Sequence, residues 1–320
     1  MCQCCPSDRL ACNAFQGVAL AIYTTAHISG AHLNPAITIA FALWRDFPPR
    51  KVPRYIAAQF AGGIAGGALN LGIFQGMRDV FERDNGITRG TPPSVQTAAA
   101  FGEYFPNPGL YGPANNMSQE AANEVIYPGT ALLVEAWGTF LLAFVIFAVT
   151  DPKNKAVGLT KALAPLLIGF VVGVNLALYA PITQAGWNPA RDFGPRLVAA
   201  LAGWQWVALP GPRNGFWIYI VGPIIGAVCG GGFYDVVLSR SLYPNCIDCG
   251  MGTNEECATA QEAKSMLDLA KFVGDGPARA ENGEAEETED AHPSVAASAD
   301  RGGASDVVCA GDNEASSCCQ

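Results

Sequence analysis

Long apolar runs broken by short polar stretches dominate the first 240 residues. Residues 131–149 (ALLVEAWGTFLLAFVIFAV) contain one ionisable side chain, Glu135; residues 162–180 contain none, and residues 214–238 contain Asp235 alone. Residues 10–28 and 55–76 are also poor in polar groups and rich in Ala and Gly. A helix needs about 20 apolar residues, rising about 1.5 Å each, to cross a hydrocarbon core about 30 Å thick. Each of the five runs meets that length. Small residues let such helices approach closely in lipid, where packing drives association. The pattern predicts an all-α integral membrane bundle with five full spans.

Two shorter segments interrupt this series, one from Asn34-Pro35-Ala36 to Leu43 and one from Asn188-Pro189-Ala190 to Leu201. Each follows a span and a Gly-containing loop, and each precedes another span. The flanking sequences repeat: SGAHLNPAITIA in the first half and QAGWNPARDFGP in the second. Paired interrupted segments at matching positions mark an inverted repeat with its functional site at the bilayer midplane. Asn is a good N-cap, and Pro suits the first helical position. The unsatisfied N–H groups of the first turn then put partial positive charge at each half-helix start. Two such ends meeting head to head repel cations and offer amide donors to a hydroxyl oxygen, which is the logic of a pore for neutral solutes.

Charge sets the orientation. Residues 45–54 carry Arg45, Arg50, Lys51 and Arg54 against Asp46, and residues 151–161 carry Lys153, Lys155 and Lys161 against Asp151. The long loop 78–129 has three arginines against six acids. The positive-inside rule places the first two loops in the cytosol and the long loop outside. Residues 241–320 hold 16 of the 28 acidic residues but four of the 19 basic ones. This tail is short of large apolar residues and is expected to be disordered and cytosolic, with a short helix possible at 262–272. The domain reading is therefore an N-terminal segment 1–11, a channel domain 12–240 and an acidic tail 241–320. Nothing in the charge distribution points to nucleic acid. Most cysteines lie at the termini, and Cys246-x-x-Cys249 has no second pair at zinc-site spacing, so no metal or other cofactor is expected.

The run Ser29-Gly30-Ala31-His32-Leu33-Asn34-Pro35-Ala36 and the run Asn188-Pro189-Ala190-Arg191-Asp192-Phe193-Gly194-Pro195-Arg196 resemble the signature motifs of the major intrinsic protein (aquaporin) family. The resemblance covers about residues 12–240 and implies a right-handed helical bundle. In that family the Arg after the second motif lines the narrowest part of the pore, which here is Arg191. Asp192 is similar to the marker of the glycerol-conducting branch, as are residues 101–108 (FGEYFPNP) and 163–169 (LAPLLIG). Carbonyls of Gly30, Ala31 and His32, and of Gln184, Ala185 and Gly186, would supply an acceptor track by the same resemblance. The remaining filter positions fall at Ala185 and at Ala14, beside Phe15. Their small side chains imply a wide filter for glycerol, water, urea or polyols.

Several further residues carry two readings. His32 is a pH-sensitive group or a neutral member of a fixed hydrogen-bond network, and the second is favoured. Glu135 is a proton relay or, as the resemblance implies, a buried acceptor for loop N–H groups. The family has six full spans, so the helix before residue 10 and its buried Glu are expected to be missing. The resemblance further implies a homotetramer in the plasma membrane, passive and without enzymatic activity. The alternative function is a non-conducting regulatory subunit of full-length relatives.

Overall fold

The computed structural model describes residues 6–111, 117–152, 154 and 160–239. The acidic tail, its candidate helix at 262–272 and the CxxC pair lie outside the described residues. Among the described residues, the long helices are α1 (Pro6–Ser29), α3 (Val52–Asp84), α6 (Pro128–Thr150), α7 (Thr160–Thr183) and α9 (Ile218–Gly232). Two short helices, α2 (Pro35–Trp44) and α8 (Pro189–Ala199), start at the Asn-Pro-Ala motifs. Helices α4 (Val95–Ala98) and α5 (Gln119–Val125) punctuate the long loop.

Among the described residues, four stretches are long and apolar enough to cross a membrane: Pro49–Asp84, Pro128–Thr150, Ala162–Thr183 and Pro212–Ser239. The first helix, α1, has 24 residues, but Asn13, Gln16, Thr24, Thr25 and His27 dilute its apolar character. It packs along α7. The last span is composite: turns at Pro212–Trp217 lead into α9, which continues through wide π-type turns at Phe233–Ser239. α8 likewise runs on into such turns at Ala200–Trp204, and Gly203, at φ 107°, ends the run.

The inverted repeat is visible in the packing. α2 lies against α9, and α8 lies against α3. The two glycine ladders do not have the same fate, however. On α9, a Cβ added at Gly222, Gly226 or Gly230 would run into the α6 backbone or Glu135, so these glycines let two helices touch main chain to main chain. On α3, Gly63 and Gly67 hold α8 in the same way, against Ala190 and Pro195, while Gly62 and Gly66 face open space. Of these four α3 glycines, Gly63 and Gly67 are therefore the close-packing pair. α6 buries its flank on α9 and α7. No described helix covers the matching flank of α3.

Polar clasps close the ends of the bundle. Arg45, at the C-cap of α2, grips Asp235 at 2.8 Å and donates to the Phe147 carbonyl at 2.9 Å. Beyond α8, Trp204 is fully buried beside Phe101 of the long loop and donates to Thr97 Oγ1 at 2.9 Å. That packing fixes residues 99–108 against the end of α8.

Candidate functional site: a central cavity at two half-helix caps

Local chemistry builds the centre. Asn34 and Asn188 both adopt extended backbone as N-caps, at φ −151° and −147°, and each has Pro at the first helical position. Asn34 Oδ1 accepts from Ala36 N at 2.9 Å. Asn188 Oδ1 accepts from Ala190 N at 3.1 Å and Arg191 N at 3.3 Å. The amide nitrogens cross over. Asn34 Nδ2 donates to the Trp187 carbonyl at 2.8 Å, and Asn188 Nδ2 donates to the Leu33 carbonyl at 2.8 Å. Each half-helix cap is thus fastened to the loop that leads into the other. A side-chain amide carries two hydrogens, so each Asn keeps one for a further acceptor.

The loops leading in are left-handed. Gly30, Ala31 and Leu33 have φ of 77°, 48° and 52°; Gln184, Ala185 and Trp187 have 59°, 64° and 43°. Non-glycine residues take this region at a cost and keep it only where surrounding structure fixes them. In the second loop that structure is Glu135. Its carboxylate is fully buried and accepts from Thr183 Oγ1 at 2.6 Å, Gly186 N at 3.1 Å and Trp187 N at 2.8 Å. The first loop is held differently. His32 Nδ1 lies 3.1 Å from Thr38 Oγ1, its ring packs among Phe41, Phe47 and Tyr55, and Tyr55 donates to the Ser29 carbonyl at 2.9 Å.

A cavity of about 670 Å³ runs through this centre. Gly30, Ala31, His32, Gln184, Ala185 and Gly186 line it, as do Asn34, Asn188, Arg191 and Ala14. One wall is apolar, with Val18, Ile22, Ile37, Leu142, Ile168 and Val172. Phe15, a candidate filter residue, is not part of the lining. It turns to α7, edge-on to Phe170 at 6.4 Å between ring centres. A second hollow, of about 800 Å³, lies along the glycine face of α3 and shares His32, Leu33, Asn188 and Arg191 with the first.

Two acids lie close to Arg191. Its Nη2 is 2.5 Å from Glu103 Oε1. Asp192 does more than stand beside it. It is fully buried, accepts Glu103 N at 2.6 Å through Oδ1, and pairs through Oδ2 with Arg196 Nε at 2.8 Å. Arg196 in turn donates to the carbonyls of Glu103 and Ala208 and lies under the Tyr104 ring. Glu103 and Asn107 also line the cavity, and neither had been singled out as a site residue. The available signals were a lone carboxylate in the run 101–108 and the i,i+4 spacing of Asp192 and Arg196.

The family model for major intrinsic proteins matches residues 7–234. The chain belongs to the major intrinsic protein family. Among relatives of this family member, the glycerol uptake facilitator protein of Pseudomonas aeruginosa is 41% identical over 229 residues, 71% of this chain and 75% of the relative. The protein of that name in Escherichia coli strain K12 is 40% identical over 254 residues, 78% of this chain and 82% of the relative. The propanediol uptake facilitator PduF of Salmonella typhimurium is 41% identical over 229 residues, 71% and 79% of the two chains. Among solved structures, the aquaglyceroporin from Plasmodium falciparum superposes with a TM-score of 0.57 at 23% identity, covering 75% of this chain and 86% of that one. That likeness carries the fold alone, an all-α helical bundle.

Proposed function

We propose that this protein conducts glycerol and similar small neutral solutes passively across a membrane, with water, urea and other polyols as further permeants. The observation that carries the reading is the pair of crossed asparagine caps opening on one elongated cavity. Two helix N-termini aim there, so a cation meets partial positive charge from both halves, while a hydroxyl oxygen finds two amide hydrogens. The left-handed loops provide carbonyl acceptors at Gly30, Ala31, His32, Gln184, Ala185 and Gly186. The aliphatic wall suits the CH groups of a polyol. Arg191, with Ala14 and Ala185, forms the selectivity filter, and the short side chains leave room for solutes wider than water. The names of the relatives support glycerol or a diol as solute. No bond is made or broken in transit, so we assign no enzymatic activity.

The assembly is proposed to be a homotetramer in the plasma membrane. Residues 12–240 form its channel domain, with residues 1–11 before it and the acidic tail 241–320 on the cytosolic side. Liposomes bearing the protein are expected to reswell rapidly in glycerol and to stay shrunken in sucrose, read by stopped-flow light scattering. Flux is expected to stop when the gradient vanishes; uphill accumulation would overturn a passive channel. Arg191→Val is expected to keep glycerol flux within about threefold and to raise proton leakage about tenfold or more, because the charge that a hydrated cation meets is removed. An unchanged leak would remove Arg191 from the filter.

A further inference from the structure

The cation at the filter is neither free nor self-sufficient. Arg191 is half exposed in the cavity wall, whereas its partner Glu103 is 2% exposed. Glu103 is itself held from three directions. Its backbone N–H is tied to Asp192, its carbonyl to Arg196, and the next residue, Tyr104, donates its N–H to Gln184 Oε1 at 2.8 Å. A rigid carboxylate therefore faces a flexible guanidinium. Counting the charges in contact, Arg191 and Arg196 are positive, and Glu103 and Asp192 are negative, so the cluster is neutral. An arginine left without its carboxylate would be a mobile cation with five donors. Ala14 and Ala185 in the same wall have no reach to brace it.

We propose that Glu103 is the positioning residue of the filter: its carboxylate draws Arg191 back against the long loop and so holds the aperture wide enough for polyols. This rests on the channel reading above. Loss of the carboxylate charge releases Arg191 into the solute path, where it obstructs glycerol more than the smaller water molecule. The selectivity of the pore then depends on the ionisation of a residue outside the half-helix motifs.

The surroundings make that ionisation sensitive to ordinary pH. Burial is the largest influence and pushes the Glu103 carboxyl up to about 7, against the pull of Arg191; Asp192 and Glu135 push it further up, and Arg196 opposes them. Tyr104 in the same loop and Tyr219 on α9 complete the titratable neighbours. The acid is ionised and paired above that value and becomes neutral as pH falls through it, so the wide state belongs to the alkaline side.

The test measures glycerol and water permeability of proteoliposomes from about pH 5.5 to about pH 8.5, a window that brackets the titration. The wild-type glycerol-to-water ratio is expected to fall about fivefold towards the acid end. Glu103→Gln should show the low ratio at every pH, and Glu103→Asp should restore part of the pH dependence. Glu124→Gln, on α5, is the control and should follow the wild type. A wild-type ratio flat across this range, or a Glu103→Gln ratio equal to that of the wild type at alkaline pH, overturns the inference while leaving conduction intact. Absence of any glycerol flux from inserted wild-type protein overturns the channel reading and the inference with it. If Glu103→Gln does not reconstitute, the wild-type profile decides alone.

Discussion

Glu135→Gln is expected to lower the stability of the detergent-solubilised protein by about 3 kcal/mol or more, and Glu135→Leu by more still. The carboxylate has two jobs that a side-chain amide cannot share. It accepts two backbone N–H groups and one hydroxyl, while a glutamine turned to accept with its oxygen must aim NH2 hydrogens at another donor. Water could rescue such a loop at a surface, but Glu135 has no exposed area and sits against the glycine face of α9. Glutamine orphans Trp187 N or, turned the other way, Gly186 N and Thr183 Oγ1, and leucine orphans all three; the loop leads into Asn188, so solute flux should fall with stability. Thermal unfolding followed by fluorescence, with glycerol flux on the same preparation, checks both. A Glu135→Gln protein with an unchanged melting point would mean that the loop holds its strained backbone without this acceptor.

The second large effect is expected at Asp192. Arg196 is 1% exposed, and Asp192 is its ion-pair partner, so Asp192→Asn leaves a buried guanidinium without its counter-charge. Breaking a buried pair from one side costs about 3–5 kcal/mol, because the surviving charge stays desolvated. The side-chain oxygen left in Asn can still accept Glu103 N, but its NH2 then faces the Arg196 Nε donor, so the loss combines the counter-charge with that hydrogen bond. Asp192→Asn combined with Arg196→Met should cost clearly less than the sum of the single changes, a coupling of about 2 kcal/mol. Simple additivity would mean that the two side chains stabilise the loop independently. Because Glu103 is anchored through this pair, the single variant should also disturb selectivity before it unfolds.

Much of this architecture is legible in the chain. The apolar runs at 131–149 and 162–180 lie within α6 and α7, and the two Asn-Pro-Ala segments become α2 and α8, because a proline-led cap and apolar length are local properties. The repeat of SGAHLNPA and QAGWNPAR brings both caps to one cavity. What escaped is non-local or unequal between the halves. The grip of Glu103 on Arg191 joins a loop residue to a half-helix far along the chain, and no periodicity encodes it. The pairing of Asp192 with Arg196 is a local i,i+4 contact that the spacing does encode. Ala14 lines the cavity and Phe15 does not, because helix phase near residue 14 decides which neighbour faces inward. The α3 glycines look alike in sequence, yet only Gly63 and Gly67 have a helix to meet.

The crossed asparagines also bear on how the protein is made. Asn34 needs the Trp187 carbonyl, and Leu33 needs the Asn188 amide, so neither loop can be completed by the half that contains it. A chain emerging from the ribosome has the first cap long before the second exists. Its passage stays unbuilt until α7 and α8 have been inserted and the halves have closed on each other.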